Sequence, residues 1–483
     1  MAFAITQTCC SDASCVSVCP VNCIHPTPDE PGFGTTDMLY VDPRTCIDCG
    51  ACADACPVDA IFPVDVLAAP LKVYADLNAG YYADRPSDVD TTPNFHAWGP
   101  PTFDHVVPSD LAPLSVAVVG TGPSGMYAVR DLLSHTNATV TLIDRLPVAG
   151  GLVRFGVAPD HPSTKRIGDV FARIHRHPRL RLRLGVEVGR DVTADELARR
   201  HDAVIYAVGA AGARDLGIPG EDLTGSIAAT TVVGWYNGHP DVSPAAVDLS
   251  SERVVVVGNG NVAVDVARLL TADPATLTGT SIAPHALAAL RSSKVREVVL
   301  LGRRGPRDAA YTRPELLALK NRDAADLVVD AHDAHTGPDT GKALLLEDVR
   351  RERVDWTAPP PHGRRRVVLR FHSAPEAVLG DGEVRGLRVA GGVEITAGQV
   401  VRAVGYRGSP LPGLPFDEDT GTIPNTGGRV RPGTYVVGWV KRGPTGGIGA
   451  NKACAGETVG ALIEDAAAGL LTPRRKRRLL RRA

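Results

Sequence analysis

Residues 116–125 read Val-Ala-Val-Val-Gly-Thr-Gly-Pro-Ser-Gly, the stretch that most narrows what the chain can fold into. Four apolar residues predict a buried strand, and the run from Met126 to Leu133 predicts a helix. Between them, Gly120 permits a tight turn and Gly122 lets backbone approach a bound pyrophosphate. Gly125 lets the helix lie close on the strand. The helix start offers free N–H groups and the positive end of its dipole to that anion. Alone, G-x-G-x-x-G is a weak signal, and its weight comes from its flanks.

A strand predicted at Thr139–Ile143 ends in Asp144, placed where an acid takes the ribose hydroxyls of an adenine nucleotide. A second turn opens at Arg253. Val254–Val257 is its strand, Gly258-Asn-Gly-Asn-Val-Ala263 its G-x-G-x-x-A turn and Val264–Leu270 its helix. The next strand, Glu297–Leu301, ends in Gly302-Arg303-Arg304, with arginines in place of the acid. An acid repels a 2′-phosphate, whereas two guanidinium groups grip it with charge-assisted bonds. The first turn therefore fits FAD and the second NADP(H).

The glycine-rich segment Gly150–His161 suits backbone that passes a planar cofactor. His161 is its ionisable group, with a proton or gating role near the flavin as one reading and a structural role as the other. From about Thr396 the chain is expected to return to the first domain. Gly438–Gly449 is fit to run beside the isoalloxazine ring, and the helix predicted over Asn451–Ala468 points its N-terminus at it.

Nine of the ten cysteines lie in the first 56 residues. The N-terminus has no export signal, so this clustering points to metal rather than disulfides. Cys46, Cys49, Cys52 and Cys56-Pro57 form the full C-x2-C-x2-C-x3-C-P run, in which three thiolates hold one iron–sulfur cube and the fourth ligates the other cluster. A structural zinc site lacks that register. Cys19-Pro20 mirrors Cys56-Pro57, so Cys19 is expected to join Cys46, Cys49 and Cys52 around a [4Fe–4S] cluster. Cys56 then joins Cys9 and Cys15. Three ligands favour [3Fe–4S]; Cys10 as a fourth would give a second [4Fe–4S]. Cys23 reads as a buried free thiol.

The net charge of −2 argues against nucleic acid as a partner. It is unevenly spread: residues 1–60 carry eight acids and one base, the remainder 46 acids and 51 bases. This polarity fits solubility or charge-guided docking equally. No apolar run approaches the roughly 20 residues of a membrane span. A cytoplasmic location and a monomer are expected. Seven prolines between 63 and 108, without sustained periodicity, read as a surface tether. Seven bases in Pro473–Ala483 read as a solvated tail.

The expected class is α/β, with two dinucleotide-binding (Rossmann-like) domains behind a small α+β bacterial ferredoxin domain. The expected division is 1–65 (ferredoxin domain with two clusters), 66–112 (linker), 113–213 (FAD, first segment), 214–395 (NADP) and 396–483 (FAD, second segment).

Two resemblances follow. The CPV-x-CI and MLY-x-DP-x-x-C-x-DCGAC stretches resemble the seven-iron bacterial ferredoxins, departing at the Cys9–Cys15 spacing and around Pro26–Thr36. GTGPSG, GLVRFGVAPDHP, YAVGA, GNGNVAVDVAR, GRRGP, VGYRG and GWVKRGPTGGIG resemble the adrenodoxin-reductase type of ferredoxin–NADP reductase. Together they make the chain similar to ferredoxin/ferredoxin–NADP reductase fusions. The resemblance implies flavin contacts at Ser124, Asp144, Leu152, Val188, Trp439, Gly446, Gly447 and Ile448. It implies NADP contacts at Asn259, Gly260, Asn261, Val262, Arg303, Arg304, Glu315 and Gly446. Where the family often has a second acid, three residues past Glu315, this chain has Ala318. The implied activity is hydride transfer between NADPH and FAD, then single-electron transfer to the clusters, free ferredoxin or another electron-transfer protein.

Two competitors differ in class. A disulfide reductase needs a cysteine pair near the flavin, and only Cys454 stands outside the N-terminal group. An electron-input subunit, like the small subunit of glutamate synthase, would instead hand its electrons to a large partner.

Overall fold

Val116–Val119 and Ser115 form a strand buried at every residue, as a run without polar alternation requires inside a parallel sheet. It is central to a six-stranded sheet in the order 429–431, 434–436, 203–206, 115–119, 139–143, 180–183. Only the first pair is antiparallel. The computed structural model describes residues 2–85, 105–321, 324–332 and 341–471.

Contacts divide the chain into two units. The first comprises Met1–Arg154, Ser163–Gly212 and Arg407–Ala483. The second comprises Phe155–Pro162 and Ala213–Tyr406. The division differs from the expected one at three places. The second unit extends past 395 because Gln399–Arg402 pairs in parallel with Arg253–Val257 and Ser226–Ala228. Residues 155–162 join it because Ala158 lies in its core and Arg268 holds Asp160. The N-terminal module is part of the first unit.

That module pairs Phe3–Ile5 with Ile61–Pro63 and Ile24–His25 with Tyr40–Val41, both antiparallel. The expected tether is a helix over Val73–Tyr81. Its Asn78 is buried and accepts from the Ile5 and Val41 amides at 3.2 and 2.8 Å. The same side chain donates to the carbonyls of Ile5 (2.9 Å) and Tyr74 (2.7 Å). Tyr81 stacks on Tyr40 at 4.2 Å, and Tyr82 donates to the Tyr40 carbonyl at 2.7 Å. Four polar bonds and two rings fix a nine-residue helix too short to hold itself. The remaining aromatics of the expected tether, Phe95, Trp98 and Phe103, lie outside the described residues, as does the basic tail.

The second unit is built on seven parallel strands, ordered 226–228, 399–402, 253–257, 297–301, 365–370, 325–330, 350–352. Arg253–Val257 and Glu297–Leu301 are buried throughout. Their charged first residues pair with each other, and Arg253 also donates to the carbonyls of Trp356, Thr396 and Ala358. A three-stranded antiparallel sheet, Pro375–Thr396, completes the unit.

Candidate functional site

The first turn is a backbone cradle. Gly120 has φ +112°, and a Cβ there would lie 2.3 Å from the Ala207 carbonyl oxygen. A Cβ on Gly125 would lie 2.0 Å from the Gly120 oxygen. Gly151, also at positive φ, nearly touches Gly122: its Cβ would lie 2.7 Å from the Gly122 Cα. The helix Pro123–His135 starts here with proline in its first turn and no side-chain cap. Uncapped amides above bare glycine backbone fit a pyrophosphate.

Asp144 ties this cradle together. One carboxylate oxygen accepts from the Thr121 amide (2.8 Å) and hydroxyl (2.5 Å), the other from the Leu146 amide (2.9 Å). Thr121 in turn accepts from the Gly150 amide at 3.0 Å. Much of the acid's bonding capacity thus goes to the turn itself. Ser124 donates at 2.7 Å to Asn451, and a Cβ on Gly438 would lie 2.0 Å from the Ser124 hydroxyl. Asn451 donates to the Gly447 and Ile448 carbonyls at 3.1 and 3.2 Å. Trp439 donates to the Thr445 carbonyl at 3.1 Å. Arg442 donates to Asn451 at 3.2 Å and to the Thr445 carbonyl at 3.1 Å, while its other terminal nitrogen is buried with no hydrogen-bond partner among the described residues. That orphaned cation beside Gly446 fits the electron-rich end of a flavin. Leu152 is half-buried, and Val188 sits in the hydrophobic core beside Val119 and Ile143.

The second turn repeats the design. Gly258 has φ +118°, with its Cβ position 2.3 Å from the Ala403 oxygen. The helix Asn261–Leu270 starts from Gly260 without a side-chain cap. Asn259 and Asn261 accept from the Ala310 and Thr312 amides at 3.3 and 2.8 Å, which holds that loop against the turn. Val262 packs on the core. Arg303 and Arg304 are exposed at the end of the neighbouring strand, without a carboxylate partner among the described residues.

His161 and Glu315 meet in the second unit around Arg268, which is 1% exposed. Arg268 grips Asp160 with two bonds (2.8 and 3.1 Å) and reaches Glu315 at 2.9 Å, Asp265 at 2.5 Å and His161. The ligand atoms of His161, Asp265 and Glu315 lie within 4.8 Å of one another. The guanidinium already supplies the cation such a group would seek. Burial pushes the Asp265 carboxyl up to about 6, against the pull of Arg268.

The cysteines form two groups. The charges of Cys9 and Cys56 bear on both Cys10 and Cys15. Those of Cys19, Cys46 and Cys49 bear on Cys52, whose thiol burial pushes up to about 12. Cys23 is buried, with its sulfur 3.4 Å from that of Cys19. Among the described residues no three sulfurs stand within 4.8 Å of one another. Thiolates in the C-x2-C-x2-C-x3-C-P register suit iron–sulfur clusters.

Comparison with known proteins gives the family. Residues 114–282 match the pyridine nucleotide-disulphide oxidoreductase family and residues 39–62 the 4Fe-4S binding domain. A probable ferredoxin/ferredoxin–NADP reductase of Mycobacterium tuberculosis is 49% identical over 98% of this chain and 85% of its own. The Mycobacterium leprae counterpart is 46% identical over 98% of this chain and 88% of its own. The chain belongs to the ferredoxin/ferredoxin–NADP reductase family. The solved structure of M. tuberculosis FprA in complex with NADPH matches this reductase with a TM-score of 0.69, at 43% identity, over 75% of this chain and 87% of that one. Among the described residues no helix is long and apolar enough to cross a membrane.

Several side chains that hold this reductase's candidate sites carry no motif signal of their own. Thr121 is the variable position of the turn, and Asn451 and Arg442 flank the second glycine loop. Arg268 stands one helical turn after Asp265, a visible i,i+3 pair, but Asp160 is 108 residues away.

Proposed function

We propose that the chain is an NADPH-oxidising ferredoxin–NADP(+) reductase that carries its own ferredoxin. One observation supports this most: two uncapped glycine cradles with opposite charges on their neighbouring strands share a chain with a two-group cysteine module. Bound FAD supplies the conversion between a hydride pair and single electrons. The chain's residues bind, orient and exclude water.

In this reading Gly120, Gly122, Ser124 and Gly125 seat the FAD pyrophosphate, with Asp144 holding the turn in shape and sharing its remaining lone pairs with the ribose. Leu152, Val188, Trp439 and Gly446–Ile448 line the flavin, and Arg442 faces its electron-rich edge. Asn259–Val262 seat the NADP pyrophosphate, and Arg303 and Arg304 take the 2′-phosphate. Glu315 acts through Arg268. His161, held by the same arginine, is placed to relay a proton. Cys19, Cys46, Cys49 and Cys52 hold a [4Fe–4S] cluster; Cys9, Cys15 and Cys56 hold a [3Fe–4S] cluster. The protein works as a monomer in the cytoplasm, a reducing compartment that suits cysteines kept as cluster ligands rather than disulfides.

Iron and flavin analysis with EPR tests the reading. It expects one bound FAD and an oxidised [3Fe–4S] signal; two cubane signals appearing only after reduction would replace that cluster by a cube with Cys10 as fourth ligand. A stoichiometric large partner, with no NADPH-driven reduction of added ferredoxin or cytochrome by the isolated chain, would establish the input-subunit alternative.

A further inference from the structure

The iron–sulfur module is docked by one end. The Gly449 amide donates to the Cys10 carbonyl at 2.9 Å, and Lys452 donates to the Asp12 carbonyl at 3.2 Å. Contact at Gly449 is close enough to exclude any side chain: a Cβ would lie 1.9 Å from the Ser11 oxygen and 2.4 Å from the Asp12 amide. The loop is preshaped to present these carbonyls. Ser11 and Ala13 have φ of +52° and +58°, and the Asp12 carboxylate turns back onto Ser14, accepting from its amide (3.1 Å) and hydroxyl (2.6 Å). Tyr127, buried on the first glycine-turn helix, lies within electrostatic reach of Asp12 and Cys10. Cys10 follows a proposed cluster ligand, and Gly449 follows the proposed flavin loop. One hydrogen bond therefore joins the two sites through a single residue on each side. The other cysteine group has one exposed side: Ile47 is 58% exposed, and Asp48, Cys49 and Asp54 are exposed.

We infer that electrons pass from flavin to the Cys9/Cys15/Cys56 cluster across the Gly449–Cys10 contact, then to the Cys19/Cys46/Cys49/Cys52 cluster, whose open end delivers them to a soluble acceptor. The inference rests on the function proposed above. NADPH gives up two electrons and becomes NADP+, each cluster is reduced by one electron, and one proton goes to solvent.

The test uses the full-length holoprotein carrying Gly449→Val. The added side chain must push the Cys10–Asp12 loop back by more than an ångström. Since displacement of reacting groups on that scale costs about tenfold to a hundredfold, cluster bleaching after anaerobic mixing with NADPH should slow by at least about tenfold. Flavin bleaching is followed in the same trace, so the slowing is read as the ratio of the cluster rate to the flavin rate, and hydrogen exchange at Ser11–Ser14 should rise. Cluster bleaching at the parent rate while exchange rises overturns the route, as does slowed bleaching with exchange unchanged. Lys452→Met, which removes only the bond to Asp12, should give a smaller change of the same pattern; equal slowing of the flavin step overturns the assignment. At the open end, Asp54→Lys should lower reduction of the basic protein cytochrome c several-fold with cluster bleaching unchanged, and an unchanged rate overturns the outlet. A parent whose flavin does not bleach with NADPH refutes the proposed function itself, whereas the outcomes above refute only the route.

Discussion

Replacing Arg303 and Arg304 by alanine tests the division of labour between the two turns. Both side chains are exposed and lack a carboxylate partner among the described residues, so their removal leaves no buried charge behind. Their backbone is fixed independently: the Gly302 amide donates to the Arg370 carbonyl at 2.8 Å, and the His372 amide to that of Arg304 at 3.3 Å. A hydrogen bond to a charged group contributes about 1.5–3 kcal/mol. Ordering a free arginine costs up to about 2 kcal/mol, and solvent weakens an exposed pair. A net of about 1–1.5 kcal/mol per arginine is therefore expected at low salt. The double variant should lose about 2–3 kcal/mol of NADPH binding, which raises KM roughly 30- to 150-fold at about 1.4 kcal/mol per decade. NADH has no 2′-phosphate, so its KM should stay within about twofold, the scale of a lost long-range attraction in salt. Initial rates with ferricyanide as acceptor measure both constants. At high salt the parent's preference for NADPH should shrink while the variant's stays flat. Equal rises in the two KM values would refute the 2′-phosphate assignment.

Three further outcomes follow from the geometry. Asp131 is buried, and burial raises its carboxyl to about 6 despite Arg130. Its folded pKa lies above the unfolded one, so its charge opposes folding above about pH 6 and the penalty fades as pH falls toward 4. Asp131→Asn should therefore stabilise by about 1–2 kcal/mol at pH 8, seen as a raised Tm, and match the parent near pH 4. Asn78→Ala strands the Ile5 and Val41 amides and the Ile5 carbonyl; at about 1–3 kcal/mol per buried orphan it should release the iron–sulfur module, measured as a fallen iron-to-flavin ratio with flavin retained. Arg268→Met leaves Asp160, Asp265 and Glu315 without their cation and should cost about 3–5 kcal/mol at neutral pH; without the arginine's pull Asp265 takes its proton at higher pH than in the parent, so denaturant melts should show the loss largest at high pH and shrinking as pH falls toward 6.

Local chemistry was the legible part of this chain. Each glycine turn lies between its own strand and helix, so pattern and structure coincide at Gly120–Gly125 and Gly258–Ala263. The C-x2-C-x2-C-x3-C-P run is equally local. Distant partnerships were illegible. The helix Val73–Tyr81 has weak amphipathic character and depends on Asn78, whose partners lie up to 73 residues back. The expected boundary at 395 failed because Gln399–Arg402 is claimed by strands far upstream, a choice made by the sheet and invisible in four residues. Asn451 binds Ser124 across 327 residues, so no spacing marks it. His161 sits in a recognisable loop, yet its partners, Arg268 and Asp265, come from another strand–helix turn.

The first sheet's dependence on Thr434–Val436 has a consequence for biosynthesis. Chains emerge from the N-terminus, and domains fold as units during synthesis. Strand Ala203–Tyr206 pairs with Thr434–Val436, and Ser124 waits for Asn451, so the flavin cradle stays open until nearly all the chain has left the ribosome. The seven strands of the second sheet all lie between residues 226 and 402 and are complete earlier. The second sheet is therefore complete before the first, and a nascent chain stopped before Arg429 lacks the strands that close the flavin cradle.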